Sequence, residues 1–220
     1  MKIFKESEQY IQEKSSIVST IKAALSIFPL GAPIVSIFND WQNQIQIRTI
    51  ESTIVKCFEK ISAIEESINI AYLHSNEFIY DLKQTIFKVK DEINEERKQL
   101  YADYLTGCCL SVNTECKNKR IYLELISRIE ILDLVILKNA PNDYYHNINI
   151  IDKIHSDYID IEKSDIRIHV LYLESIGLLK KVSKEQYDSL NKRYKDKPLN
   201  YYAFYKTDLA KGFIQFMKMP

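Results

Sequence analysis

Glycine and proline are scarce in this sequence, with 4 glycines and 5 prolines among 220 residues. Both residues interrupt helices, so their scarcity favours long helical stretches. Glycine-rich turns are also needed for a P-loop, a Rossmann phosphate-binding turn or a serine nucleophile elbow. The four glycines are too far apart to form any of these, which argues against nucleotide binding and against serine hydrolase chemistry.

An excess of charge of either sign is also lacking, because 30 lysines and arginines balance 30 aspartates and glutamates. No global field therefore draws the chain to nucleic acid or to an acidic membrane. The balance is uneven along the chain, however. Residues 178–220 contain ten basic and four acidic residues, a net charge of +6, and the remainder therefore sums to −6.

The cysteines and histidines do not have the spacing that is typical of metal ligands. A structural zinc site needs two ligand pairs, and only one close pair, Cys108 and Cys109, is present. The first 12 residues lack the apolar stretch of a signal peptide, so we expect a cytoplasmic protein with reduced thiols. We expect Cys108 and Cys109 to be semi-buried structural thiols and His169 to be a core or interface residue. No metal, cofactor or catalytic residue is predicted.

Bulky apolar residues recur at steps of three and four along the first two-thirds of the chain, the spacing of amphipathic helices. The spacing predicts helices over 6–28, 47–72, 78–104 and 121–137, with Asn76 as the N-cap of the third. The expected fold class is mainly α, an elongated helical bundle followed by a small domain with a short β-hairpin.

An apolar helical hairpin is predicted near the N-terminus, where Phe-Pro-Leu-Gly-Ala-Pro at 28–33 separates two apolar stretches. The apolar span is about sixteen residues, short of the roughly twenty that one membrane crossing needs. Two interpretations stay open, a buried core hairpin and a membrane-active segment over 17–38. The residues that would insert are Leu25, Phe28, Leu30, Ile34 and Phe38.

The last third of the chain predicts a different pattern of elements. A helix over 164–176 ends at Gly177, apolar stretches at 178–182 and 201–205 favour strands, and Thr207 can cap a last helix. This order is that of a winged helix. We therefore predict an N-terminal helical region over 1–112 and a winged-helix-like domain over 113–220.

Two resemblances support this division. Residues 171–179 (Leu-Tyr-Leu-Glu-Ser-Ile-Gly-Leu-Leu) and 205–213 (Tyr-Lys-Thr-Asp-Leu-Ala-Lys-Gly-Phe) resemble the end of many bacterial winged helices. The apolar hairpin at 28–33, the segment 95–105 and the long helices resemble bacterial helical proteins of the abortive-infection alpha type. The second resemblance implies a role in phage defence or in a mobile element, without a defined chemistry.

A basic, tyrosine-containing segment follows the first predicted strand. Such a mixture is typical of phosphate-contacting surfaces. The preceding helix carries Glu162, Asp165 and Glu174 against Lys163 and Arg167, and acidic groups repel phosphates. A solvated or protein-binding wing is therefore an open alternative. The candidate binding residues are Lys180, Lys181, Lys184, Lys192, Arg193, Lys195 and Lys197.

The leading functional hypothesis is a non-enzymatic interaction protein that binds a protein or nucleic-acid partner through the winged helix, or that self-associates. The first alternative is a membrane-active effector that uses the apolar hairpin over 17–38. The second is a winged-helix regulator that binds DNA.

Overall fold

The computed structural model describes residues 44–63, 67–145, 149–191 and 203–217. This part of the chain is mainly helical and contains one small antiparallel sheet of two strands. It divides into two compact units. The first unit comprises the described residues up to Ser127 together with Phe216 and Met217, and the second unit is Arg128–Gln215. The sequence-based division was at 112/113.

Five α-helices lie in the described part of the first unit. They are α1 (Gln44–Ala63), α2 (Ile70–Leu73), α3 (Asn76–Val89), α4 (Glu95–Cys109) and α5 (Lys119–Arg128), whose last residue lies in the second unit. A short 3-10 helix, Ser111–Asn113, follows α4. Helices α1, α2 and α3 all pack against α4. The second half of α4 is therefore enclosed, and Tyr104 to Leu110 are all buried.

The second unit contains α6 (Ile131–Asn139), α7 (Ile150–Asp157), α8 (Lys163–Ser175), β1 (Leu179–Lys181), α9 (Lys184–Asn191), β2 (Phe204–Lys206) and most of α10 (Asp208–Met217). Helix α8 packs against α6, α7 and β1. Strands β1 and β2 pair in antiparallel register, with Leu179 opposite Lys206 and Lys181 opposite Phe204. The buried apolar residues of α8 are Ile166, Val170 and Leu173.

Three of the predicted helices are too long, because in the structure polar capping residues divide each of them into two shorter helices. The predicted helix over 47–72 ends at Ala63, and a separate α2 begins where the Asn69 side chain accepts from the Tyr72 amide. Asn94 caps α4 in the same way and separates it from α3. Glu130 and Asp133 form a reciprocal capping box between α5 and α6. The N-cap of α3 is Ser75, not Asn76.

The predictions for the C-terminal elements agree more closely with the structure. Helix α8 ends before Gly177, and the Thr207 hydroxyl accepts from the Ala210 amide at the start of α10. Strand β1 lies within the first predicted strand, and β2 overlaps the second but extends one residue beyond it, to Lys206. One element was missed. Helix α9 occupies the polar segment that was expected to be an irregular wing.

Gly107 allows a close approach inside the first unit. A Cβ at this position would lie 2.7 Å from the carbonyl oxygen of Phe216 and 2.9 Å from its ring. The Phe216 ring in turn contacts Tyr104 and Tyr122, with centroid separations of 5.8 and 5.2 Å. Phe216 is thus held between α4 and α5 only because residue 107 has no side chain.

We expect Gly107→Ala to destabilise the protein by about 1–3 kcal/mol, because the added methyl group overlaps a main-chain atom. At an unconstrained position inside a helix the same change would instead stabilise by about 0.5–1 kcal/mol. Gly177→Ala is the comparison variant, since residue 177 has φ +76° and open space around it, so it tests backbone strain alone. Urea unfolding gives both values, and a Gly107→Ala protein of wild-type stability would contradict the packing described.

Candidate partner-binding surface and buried clusters

Helix α8 is held in place by a well-formed C-terminal cap. The Gly177 amide donates to the Glu174 carbonyl at 3.0 Å and the Leu178 amide donates to the Leu173 carbonyl at 2.9 Å, the two bonds of a Schellman motif. Gly177 adopts φ +76°, which glycine does without steric cost. Leu173 and Leu178 are both fully buried. The cap therefore fixes the end of α8 and the direction in which the chain enters β1.

The outer face of α8 carries two large apolar side chains. Ile168 is 64% exposed and Leu171 is 46% exposed. They lie three residues apart and therefore share one face of the helix, away from Ile166, Val170 and Leu173. We refer to Ile168 and Leu171 as the α8 face. It was not predicted from the sequence, although both residues are apolar and lie outside the three- and four-residue spacing of the buried residues of α8.

His169 joins α8 to α6 and is three-quarters or more buried, consistent with the predicted core or interface role. Its Nδ1 lies 2.8 Å from Oδ1 of Asp133, whose side chain is completely buried, and its Nε2 lies 3.9 Å from Glu130. The other Asp133 oxygen accepts from the Glu130 amide at 2.7 Å. Both polar neighbours of the ring among the described residues are therefore carboxylates.

Three of the predicted basic residues lie in the described second unit. Lys180 and Lys181 are exposed on β1, and Lys184 is exposed at the start of α9. The other predicted binding residues, Lys192, Arg193, Lys195 and Lys197, lie outside the described residues, as do the hairpin residues Leu25, Phe28, Leu30, Ile34 and Phe38. Of the seven predicted binding residues, the described part of the chain therefore contains Lys180, Lys181 and Lys184.

A buried polar cluster lies in the first unit and was not predicted. The Tyr72 hydroxyl donates to Oδ2 of Asp81 at 2.5 Å, and the Lys119 ammonium lies 4.2 Å from the centroid of the Tyr72 ring. Lys119 also bonds Glu77 at 3.1 Å. Burial raises the pKa of Asp81, against the lowering effects of the Tyr72 bond and of Lys119. The cluster ties α2, α3 and α5 together.

Three of the four cysteines are buried in the same unit, namely Cys57, Cys108 and Cys109. Burial raises the pKa of Cys57 to about 12 and also raises the pKa values of Cys108 and Cys109 well above the ordinary thiol range. These thiols stay protonated and unreactive at neutral pH, since the thiolate is the nucleophilic form. The Tyr104 hydroxyl, whose pKa burial also raises, lies beside Cys108.

Across the described ranges, no group of three or more histidine, cysteine, aspartate or glutamate side chains is arranged to hold a metal ion. None of the helices that the structure describes is both long and apolar enough to cross a lipid bilayer.

Comparison with known proteins does not assign the chain to a family. No protein-family model, curated protein or solved structure matches it.

We expect Tyr72→Phe to destabilise the protein by about 1–3 kcal/mol, because it leaves a buried carboxylate without its hydrogen-bond donor. Asp81→Asn keeps the shape and an acceptor for Tyr72 while removing a charge that burial disfavours. Its effect should stay within about 1 kcal/mol of wild type. Chemical unfolding of both variants tests the difference, and equal losses would show that the charge on Asp81 is required.

We also expect stability to fall as the pH rises above about 8.5, where thiols of the unfolded chain begin to ionise. The folded-state pKa values of Cys57, Cys108 and Cys109 are raised, so the native state keeps protons that the unfolded state releases. Stabilisation is fully present below the unfolded pKa and is lost as the pH rises.

The loss should approach about 1.4 kcal/mol per pH unit for each buried thiol. Urea unfolding between pH 7 and pH 10.5 measures it. Cys57→Ala should make the free energy of unfolding depend less steeply on pH, by the contribution of one thiol. This holds whatever effect the substitution has on stability at pH 7. A stability that does not change over this range would contradict the burial of the thiols.

Proposed function

We propose that this chain is a non-enzymatic interaction protein that binds a protein partner through the α8 face of its second unit. The exposed apolar pair Ile168 and Leu171 is the observation that carries the proposal. Aliphatic side chains that a helix turns outward, beside a rigidly capped end, are typical of the centre of a protein interface. A partner with a complementary apolar helix face fits this chemistry.

The proposal treats the second unit as a winged-helix type of domain. Its support is the element order, in which α8 is followed by β1, a connecting segment, β2 and α10, with the two strands antiparallel. Helix α8 then occupies the position of the recognition helix in DNA-binding relatives of that architecture. The additional helix α9 within the connection departs from the simplest form of the wing.

The charges on α8 favour a protein partner over nucleic acid. Asp165 is exposed, and Lys163 is already bonded to Asp152 at 2.7 Å. A helix that reads DNA bases presents arginine, lysine, asparagine or glutamine to the groove. One arginine, Arg167, is exposed on α8, and Ile168 and Leu171 occupy the outward positions beside it. These two residues can contribute apolar contacts but no hydrogen bonds to base edges.

The proposed biological setting is bacterial phage defence or a mobile element. Its support is the resemblance to helical proteins of the abortive-infection alpha type. Of the segments that carry the resemblance, residues 95–105 lie in α4, where Tyr101 and Tyr104 are buried packing residues. The other segment, 28–33, lies outside the described residues.

A second candidate function is nucleic-acid binding through the exposed Lys180, Lys181 and Lys184. Three neighbouring cations favour contacts with phosphates, which do not depend on base sequence. The two candidates place the binding residues on different elements, α8 or the β1–α9 segment. They therefore make opposite predictions for substitutions at these positions.

We expect a photo-reactive amino acid at position 168 or 171 to form a covalent adduct with one protein partner in cells that carry the native gene. The same amino acid at Ser156, an exposed position on α7, is the control and should give no such adduct. Adding Ile168→Asp to the Leu171 probe should remove the adduct, because an ionised carboxylate is costly in an apolar interface.

Lys180→Glu with Lys181→Glu should leave that protein adduct largely intact. An adduct that disappears with nuclease treatment, or that depends on the two lysines rather than on Ile168, would support the nucleic-acid candidate instead. Equal cross-linking from positions 156, 168 and 171 would contradict a specific α8 interface.

A further inference from the structure

The first unit has an exposed surface that combines cations with large apolar side chains. Tyr80, Lys83 and Phe87 follow one another at helical spacing along the outer side of α3, and Arg120 and Ile121 lie on α5. Tyr80 is 40% exposed, Phe87 57% and Ile121 46%, while Lys83 and Arg120 are also exposed. We refer to these five residues as the basic face.

Contacts between α3 and α5 hold the basic face in one arrangement. The Arg120 guanidinium lies 4.7 Å from the centroid of the Tyr80 ring, a cation–π geometry. One turn further along, Lys88 pairs with Glu124 at 2.9 Å. Each contact joins the same two helices, so the exposed apolar side chains lie on a preformed surface rather than on separate elements.

The two cations of the basic face make no direct ion pair with a carboxylate in the described residues, although Arg120 acts electrostatically on the buried Asp81. Lys88 and Lys119 have carboxylate partners in Glu124 and Glu77. Within the part of the chain that the structure describes, neither Lys83 nor Arg120 is paired with a carboxylate. Two cations therefore remain for an acidic ligand, beside apolar side chains that a simple phosphate would not use.

The second unit carries a segment of opposite charge and similar chemistry. Residues 157–162, Asp-Tyr-Ile-Asp-Ile-Glu, connect α7 to α8 and contain three carboxylates. Tyr158 is 43% exposed and Ile159 is 79% exposed. Over the ranges described, Asp157, Asp160 and Glu162 have no lysine or arginine partner. We refer to residues 157–162 as the acidic segment.

Main-chain contacts give the acidic segment a defined shape. The Ile161 amide donates to the Tyr158 carbonyl at 3.0 Å, and the Ile161 carbonyl lies 2.9 Å from Nδ1 of His155. Tyr158 and Ile159 therefore project from an ordered turn. Little conformational entropy remains to be lost on binding, which favours affinity.

We propose that the acidic segment of one copy of this chain binds the basic face of a second copy. The charges complement each other, with Asp157, Asp160 and Glu162 facing Lys83 and Arg120. Each surface also has large exposed apolar side chains. These are Tyr158 and Ile159 on the acidic segment, and Tyr80, Phe87 and Ile121 on the basic face. This inference does not rest on the α8 interface of the proposed function.

The two surfaces differ, so the contact is heterologous. After one contact forms, one copy still has its basic face available and the other still has its acidic segment available. Such contacts form rings or chains rather than only closed two-fold dimers. Because the charged groups are exposed, salt should weaken the association. Concentration and ionic strength are therefore the two variables that reveal it.

Sedimentation velocity of the full chain should show a weight-average mass that rises with protein concentration at about 0.05 M salt. The mass should fall toward that of a monomer at about 0.5 M salt, where the screening length is roughly 4 Å. Lys83→Glu with Arg120→Glu should abolish association, and so should Asp157→Lys with Asp160→Lys. Thermal melts should confirm that both double variants fold.

Mixing the two double variants is the decisive measurement. Each is expected to remain monomeric alone. Together they restore one native pair, the acidic segment of the first variant with the basic face of the second, and one charge-reversed pair, so the mixture should associate at low salt. Lys180→Glu with Lys181→Glu changes the net charge by the same amount as Lys83→Glu with Arg120→Glu, at residues that belong to neither surface, and should leave association unchanged. Ile168→Asp should also leave it unchanged, which separates this inference from the proposed function.

A chain that stays monomeric at all concentrations and salt levels would overturn the inference. So would association that survives both double variants, or a mixture that remains monomeric although both variants are folded. Binding of the basic face to a single-stranded oligonucleotide or to anionic phosphatidylserine vesicles, without self-association, would also overturn it and would assign the face to a polyanion.

Discussion

The enclosure of α4 is the constraint on which the first unit depends. Every residue from Tyr104 to Leu110 is buried, so this half of the helix has no side that can be left to solvent. Each large apolar side chain in such a position contributes roughly 1.5–3 kcal/mol through burial. Small residues are required where neighbours approach closely, and Thr106, Gly107 and the two adjacent cysteines meet that need.

The same constraint favours hydrogen-bonded pairs among the buried polar groups, and in the described residues the buried Tyr104 hydroxyl is an exception without a hydrogen-bond partner. An unpaired hydroxyl or carboxylate costs free energy inside a packed core. Tyr72 and Asp81 satisfy each other, and Lys119 places its ammonium between the Tyr72 ring and the partly exposed Glu77. These contacts connect segments far apart in sequence, and they specify how α2, α3 and α5 pack together.

Helix content could be predicted from the sequence, because apolar residues recur at three- and four-residue steps wherever a helix meets the core. The ends of the helices could not. The same spacing continues through the breaks before α2, α4 and α6, since the helices on both sides of each break have a buried apolar side. Asn69, Asn94 and Glu130 decide where helices begin, yet each is equally compatible with a solvent-facing helical position.

The candidate surfaces were predicted only in part. Lysines at 180, 181 and 184 were recognisable from local composition alone, without knowledge of the fold. The α8 face required knowing which side of the helix is buried, and the basic face required knowing that α3 and α5 are neighbours. The neutral total charge concealed both the acidic segment and the basic face, because composition sums over charges that the fold separates.

One main-chain bond in the first unit has a consequence for experiments on its dynamics. The Asn69 amide donates to the Cys109 carbonyl at 2.8 Å, beside the isolated bridge between Ile68 and Leu110. This bond satisfies a carbonyl at the end of α4 with a donor forty residues earlier in the chain. The rate at which the Asn69 amide proton exchanges with heavy water therefore reports how often the end of α4 opens. The amides inside the helices report instead on the local unfolding of their own helix.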